Sequence, residues 1–94
     1  NQNFRLIKSE RISQGGITEV SADIRVMIRE AVLNNATIMA VCHNHPSGST
    51  RPSRHDDTLT QSVQKACEVM RIHFFDHVIV TDGAYYSYHE QGKI

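Results

Sequence analysis

The chain is predicted to be an α/β domain with a mixed sheet, and two observations carry that prediction. Two short apolar runs, "TIMAVCH" from Thr37 and "FFDHVIVTDG" from Phe74, have the length and composition of buried strands, and each follows a segment with apolar residues at helical spacing. Helices that alternate with buried strands must cover sheet faces, so the pattern implies layers around one sheet. The 94 residues suffice for one core, and residues 1–94 are taken as a single domain.

The elements follow in order. Phe4 to Ile12 alternates loosely between apolar and polar residues, as a half-exposed strand or hairpin arm does, until Gly15-Gly16 breaks it. From Ser21 to Asn34 the residues Ile24, Met27, Ile28, Ala31 and Val32 mark one helix face, with Ser21 or Asp23 as N-cap. "TIMAVCH" is the next strand, and His43 stands at its end. Ser47, Gly48, Ser49, Thr50 and Pro52 form a loop. A second helix is predicted from Arg54 to Arg71, with Leu59, Val63, Ala66, Cys67 and Met70 inward. The Phe74 strand then turns at Asp82-Gly83 into "AYYSYH", its antiparallel partner. Because the chain opens at Asn1 and enters a strand-like run at once, it is read as a fragment lacking its N-terminal strand.

Bulk properties exclude several classes. Lys plus Arg equal Asp plus Glu at ten each, so no net positive field favours nucleic acid, and binding there is expected to be weak or non-specific at best. The apolar stretches fall far short of the roughly 20 residues of a membrane helix, and no signal-peptide pattern opens the chain. A cytoplasmic protein without a membrane partner is the expectation. Two cysteines, Cys42 and Cys67, make no disulfide framework and are predicted to be reduced and buried. Nothing specifies an oligomeric state.

Polar chemistry is concentrated after the first buried strand, in "HNHPSGSTRPSRHDD". Residues two apart on a strand share a face, so His43 and His45 can present their imidazoles side by side. Two histidines with one carboxylate leave a coordination position open and form the pattern of catalytic zinc, which makes Asp56 or Asp57 a candidate third ligand. A purely structural explanation competes. Ser53-Arg54-His55-Asp56 is an S-x-x-D string ahead of an apolar helix face, and it satisfies a capping box with no metal. His55 reads as an exposed first-turn residue, Asn44 as pointing away from its neighbours, and Cys42 as facing the other side of the strand. His73, His77 and His89 lack partner spacing and are given surface or core roles. Tyr85, Tyr86 and Tyr88 are read as packing residues of an edge strand, with base stacking as the lesser alternative.

His43, Asn44, His45, seven further residues, Ser53, two more and Asp56 reproduce H-x-H-x7-S-x2-D, and in this respect the chain resembles the JAMM (MPN-plus) metalloprotease domains. The form "HNHPSG…PS..D", with flanks "REAVLNNATIMAVCHNHPSG", "DHVIVTDGAYYSYHEQG" and "QNFRLIKSERISQGG", is similar to the RadC branch over nearly the whole chain. The resemblance implies a three-layer α/β/α sandwich akin to cytidine deaminases, Zn²⁺ held by His43, His45 and Asp56, and Ser53 acting catalytically near the zinc-bound water or the oxyanion. It implies a hydrolase in which zinc-activated water attacks a peptide or isopeptide amide carbonyl. It also calls for a glutamate as general base, placed upstream of the matching segment, and none of Glu10, Glu19 and Glu30 occupies that place. The alternative function is a catalytically incomplete module associated with DNA repair or nucleic acid, as the family's history suggests. The H-x-E and P-C-x-x-C signature of zinc deaminases is absent.

Overall fold

The structure is a computed structural model that describes residues 24–45 and 48–94. The Phe4 to Ile12 strand, the Ser21 and Asp23 caps, and Glu10 and Glu19 lie outside the described residues. The elements are α1 (Ile24–Leu33), β1 (Ile38–Asn44), α2 (Arg54–Met70), β2 (His73–Thr81) and β3 (Ala84–Ser87).

The three strands form one mixed sheet in the order β1-β2-β3. β1 and β2 run parallel, which requires a crossover, and α2 supplies it. β2 and β3 are antiparallel across a two-residue turn, Asp82-Gly83, where Gly83 takes φ +90° at no steric cost. α1 stops where Asn35 enters the left-handed region at φ 54°, a conformation asparagine tolerates better than most residues, and the Ala36 N–H closes back onto the Ala31 carbonyl at 2.9 Å. α2 starts at its N-cap Ser53 with a complete capping box: the Ser53 hydroxyl accepts from the Asp56 N–H, and the Asp56 carboxylate accepts from the Ser53 N–H.

Ala31 of α1, Val63 and Cys67 of α2, and Ile72 and Phe74 form one buried cluster, with Met39 and Val41 of β1 packed against it. Val63 is wholly shielded from solvent, and burying an aliphatic chain of its kind contributes about 1.5–3 kcal/mol. Both helices therefore cover the same face of the sheet. The α/β class and mixed sheet stand as predicted, and the described residues supply a helical layer and the sheet; a third layer is not among them.

Three expectations are corrected by this arrangement. β1 is not buried on both faces: Met39, Val41 and His43 turn inward, while Ile38, Ala40, Cys42 and Asn44 are exposed. Cys42 is therefore an exposed thiol and Cys67 a buried one, and both are free. Val32 and Met70, placed on inward faces by spacing, are each 44% exposed, because both lie at the last turns of their helices, past the edge of the shared core.

What positions the site is the meeting of two chain ends. The C-terminal end of β1 carries His43, and the N-terminus of α2 carries Asp56, so both lie at the carboxyl edge of the parallel pair, where ligands of α/β sheets characteristically bind.

Candidate metal centre

The inward stripe of α2 is Asp56, Thr60, Val63 and Cys67, all buried, at spacings that keep one helix face. Its two C-terminal members are core and its two N-terminal members are polar. The polar end lies against β1 and β2, where residues of the same sheet face continue the stripe: His43, and His77, which is fully buried.

Asp56 is the hub. Its Oδ1 lies 3.0 Å from His43 Nε2, and its Oδ2 lies 2.9 Å from His45 Nε2. The two imidazole rings are 5.1 Å apart between centroids. Oδ2 also accepts from the Ser53 N–H at 2.7 Å and from the Ser53 hydroxyl at 2.9 Å. Capping and histidine contact, two explanations that the sequence sets against each other, are thus made by the same carboxylate.

Further polar contacts lie behind His43. Its Nδ1 is 3.1 Å from His77 Nε2, and His77 Nδ1 meets Thr60 Oγ1, which donates to the Asp56 carbonyl at 2.8 Å. The His77 ring stacks on Tyr88, with centroids 4.8 Å apart and an 8° interplanar angle, and the Tyr88 hydroxyl donates to Asp57 Oδ1 at 2.7 Å. Each buried polar side chain here has a partner.

Burial dominates the electrostatics of the imidazoles. Desolvation holds His77 down to about 4, with the neighbouring His43 adding to the effect, so His77 is neutral at ordinary pH. Desolvation also lowers His43, outweighing the nearby Asp56 charge that would raise it. Burial works against the Asp56 carboxylate as well, yet the two hydrogen bonds from Ser53, helped by His43 and His45, hold it below the usual carboxylate value.

The donor set fits a metal ion, and His45 carries that test. Its Nδ1 lies 2.9 Å from the Ser49 carbonyl oxygen, which can only accept, so Nδ1 bears the hydrogen and a neutral His45 has a bare lone pair at Nε2. That lone pair faces an ionised carboxylate oxygen at 2.9 Å. Two lone pairs at that distance require a cation between them, a proton or a metal ion. Ligating histidines characteristically donate their second ring N–H to a carbonyl in just this manner. One ligand atom each from His43, Asp56 and His77 also lie within 4.8 Å of one another. This His/Asp group could hold a metal ion.

The family model described as the RadC-like JAB domain matches residues 1–93. The chain belongs to the RadC-like JAB domain family. Among its relatives, a UPF0758 protein of Porphyromonas gingivalis is 44% identical over 95 residues, covering 100% of this chain and 42% of the relative. A UPF0758 protein of Haemophilus ducreyi is 43% identical over 91 residues, covering 97% and 40%, and one of Flavobacterium johnsoniae is 35% identical over 92 residues, covering 98% and 40%. This RadC-like domain thus spans about two-fifths of the length of these relatives.

Within the RadC-like domain the predicted residues come together unequally. His43 and His45 both contact the Asp56 carboxylate, and Ser53 spends its single hydroxyl hydrogen on that carboxylate as the helix cap. His55 is exposed on the first turn of α2, and His73 and His89 are exposed as well. The structure adds His77, Thr60 and Tyr88 to the surroundings of this group. Thr60 was legible as the i+4 neighbour of Asp56 on an inward stripe. His77 was not, because its place beside His43 depends on strand register. Glu30 pairs with Arg29, Glu90 accepts from Tyr85, and Glu68 lies about three turns along α2 from Asp56, so no described glutamate reaches the group.

Proposed function

We propose that this RadC-like domain is the metal-binding part of a metal-dependent amide hydrolase of peptidase or isopeptidase type, with His43, His45 and Asp56 as the zinc ligands. The single observation that carries the reading is the convergence of His43 Nε2 and His45 Nε2 on the two oxygens of the Asp56 carboxylate, with His45 Nδ1 directed at the Ser49 carbonyl. His45 is preferred to His77 as the third ligand. The Nε2 of His77 is engaged on the Nδ1 side of His43, and His77 is wholly buried, which leaves no access for water or substrate there.

Zinc in such a site supplies Lewis acidity toward a carbonyl and a water acidified toward about pH 7. The chain's own residues supply the rest. Ser53 orients Asp56 through two hydrogen bonds, and its exposed position allows the hydroxyl to turn toward a developing oxyanion once the carboxylate is neutralised. The general base belongs, on this reading, to a glutamate outside the described residues. A cytoplasmic setting is part of the same proposal.

Metal analysis of protein purified without a histidine tag tests the site: one equivalent of zinc is expected in the parent, and none in His45→Ala. A full equivalent retained by His45→Ala rules out the ligand set. For activity, general acid–base transfer is worth about 10²–10⁴-fold, so residues 1–94 alone are expected to hydrolyse amide substrates at least that much more slowly than a longer chain engineered to carry an upstream glutamate-bearing strand. Equal rates would assign the base to Glu10, Glu19 or another residue of this chain.

A further inference from the structure

Asp76 is a buried carboxylate that the candidate metal centre does not use, and it sits where β2 breaks its alternation. Against β1, Met39 pairs with Phe74 and Ala40 with Asp76, so Phe75 is an extra residue, a bulge in the ladder. Before the bulge, Phe74 packs in the core beneath the helices; after it, His77 reaches Thr60 of α2, and Asp76 is turned to the opposite face of the sheet with its exposed partner Ala40. There it lies under the turn that follows β3. Its Oδ1 accepts from the His77 N–H at 2.7 Å and from the His89 N–H at 2.9 Å, and its Oδ2 accepts from the Ser87 hydroxyl. Ser87 Oγ accepts in turn from the Glu90 N–H at 3.0 Å, and the His89 ring stacks on the bulged Phe75.

The competing register is a strand without the bulge. Strict alternation from Phe74 would carry Asp76 to the helix side and His77 to the open one. The carboxylate would then be pressed toward the helices, away from Ser87 and His89, and a buried carboxylate stripped of its partners is strongly disfavoured. Asp76 thus acts on both registers: its hydrogen bonds hold the observed one, and its charge penalises the slipped one.

We infer that Asp76 is a positioning residue for the metal centre: latched to Ser87 and His89, it fixes the phase of β2 so that His77 stands behind His43. The inference rests on the metal reading above and adds to it the residue that sets the register of the strand. His77 Nε2 lies 3.1 Å from His43 Nδ1 and the two rings are 5.0 Å apart between centroids, so a β2 out of phase leaves His43 without its neighbour on that side. Loss of the side-chain support behind a ligating histidine typically weakens metal binding about 10–100-fold.

Carbethoxylation of histidines by diethyl pyrocarbonate, located by fragment mass spectrometry on the intact protein with a chelator present, reads which way His77 points. Wholly buried, it is expected to be unreactive in the parent. Asp76→Leu, whose apolar side chain suits the helix face, is expected to expose His77 to the reagent and to bind zinc about 10–100-fold more weakly in a chelator competition, with the far-UV circular dichroism unchanged. Asp76→Asn, which keeps an oxygen for the two N–H donors, is expected to leave His77 protected and to recover most of the zinc affinity. Ser87→Ala removes one donor without touching the helix face and is expected to speed His77 labelling about 10-fold, the equivalent of one hydrogen bond to a charged group; it decides the question should Asp76→Leu not fold. His77 as protected as in the parent, in a folded Asp76→Leu or in Ser87→Ala, overturns the inference. Zinc bound as tightly by Asp76→Leu with His77 exposed refutes the positioning role alone, whereas a parent protein that takes up no zinc refutes the metal reading and the positioning role with it, the labelling still reporting the register.

Discussion

Ser53 and His77 are the residues whose single substitution says most about how this site is built. Ser53→Ala removes the side-chain half of the capping box while leaving the backbone N–H on Asp56, and should cost about 1 kcal/mol of stability in urea denaturation, with Ser53→Thr largely neutral. His77 predicts a pH dependence with a definite sign. Its ordinary value is 6.5 and its folded value is about 4, so between those limits the unfolded chain binds more protons and stability falls as pH falls. At roughly 1.4 kcal/mol per unit, the loss is on the order of 3 kcal/mol across that window. Denaturation in the presence of a chelator at pH 7.5, 6 and 5 should show this fall, and His77→Gln should flatten it. The lowered carboxyl of Asp56 acts in a separate, more acid window, where stability present above its ordinary 3.8 is lost as pH drops further.

Among the elements, α2 does two jobs along one face. Its stripe is apolar where it meets the core at Val63 and Cys67, and polar where it meets the strand ends at Asp56 and Thr60. Its C-terminus carries a strain that function does not require: Arg71 sits at φ 60°, and the Ile72 N–H closes on the Cys67 carbonyl at 2.8 Å. A non-glycine residue there is disfavoured by about 1–2 kcal/mol, partly offset by the entropy glycine loses on folding. Arg71→Gly should therefore stabilise the domain by roughly 0.5–1 kcal/mol, read as a higher urea midpoint, with zinc binding unchanged.

At the scale of the whole molecule, balance of charge and coupling of metal to folding give two expectations. With ten basic and ten acidic residues, the chain should bind duplex DNA weakly and with a steep fall as salt rises, measurable by fluorescence anisotropy; tight sequence-specific binding at physiological salt would favour the nucleic-acid alternative. A ligand that binds only the folded state stabilises it by mass action, about 2.7 kcal/mol at a free concentration 100 times its dissociation constant. Zinc should raise the melting temperature of the parent accordingly and leave His45→Ala unmoved. No helix among the described residues is long and apolar enough to cross a membrane.

The alternation of helices with apolar strands, the Asp82-Gly83 turn, the Ser53 cap and the H-x-H-x7-S-x2-D spacing were all legible in the sequence, because each is written in contiguous runs of residues whose pattern can be read without knowing what packs against them. On the inward face of α2, Val63 and Cys67 were legible for the same reason, whereas Met70 proved exposed. His77 was decided by tertiary structure. β2 pairs with β1 through an irregularity between Met39 and Ala40, so Phe74 and His77, three apart, both face the helices where strict alternation would have turned one of them away. A one-residue change of phase exchanges the faces of everything beyond it, and no local pattern reports it. The exposure of Cys42 was likewise set by the placing of both helices on one sheet face, since a short apolar run reads the same whether one side of its strand is covered or two.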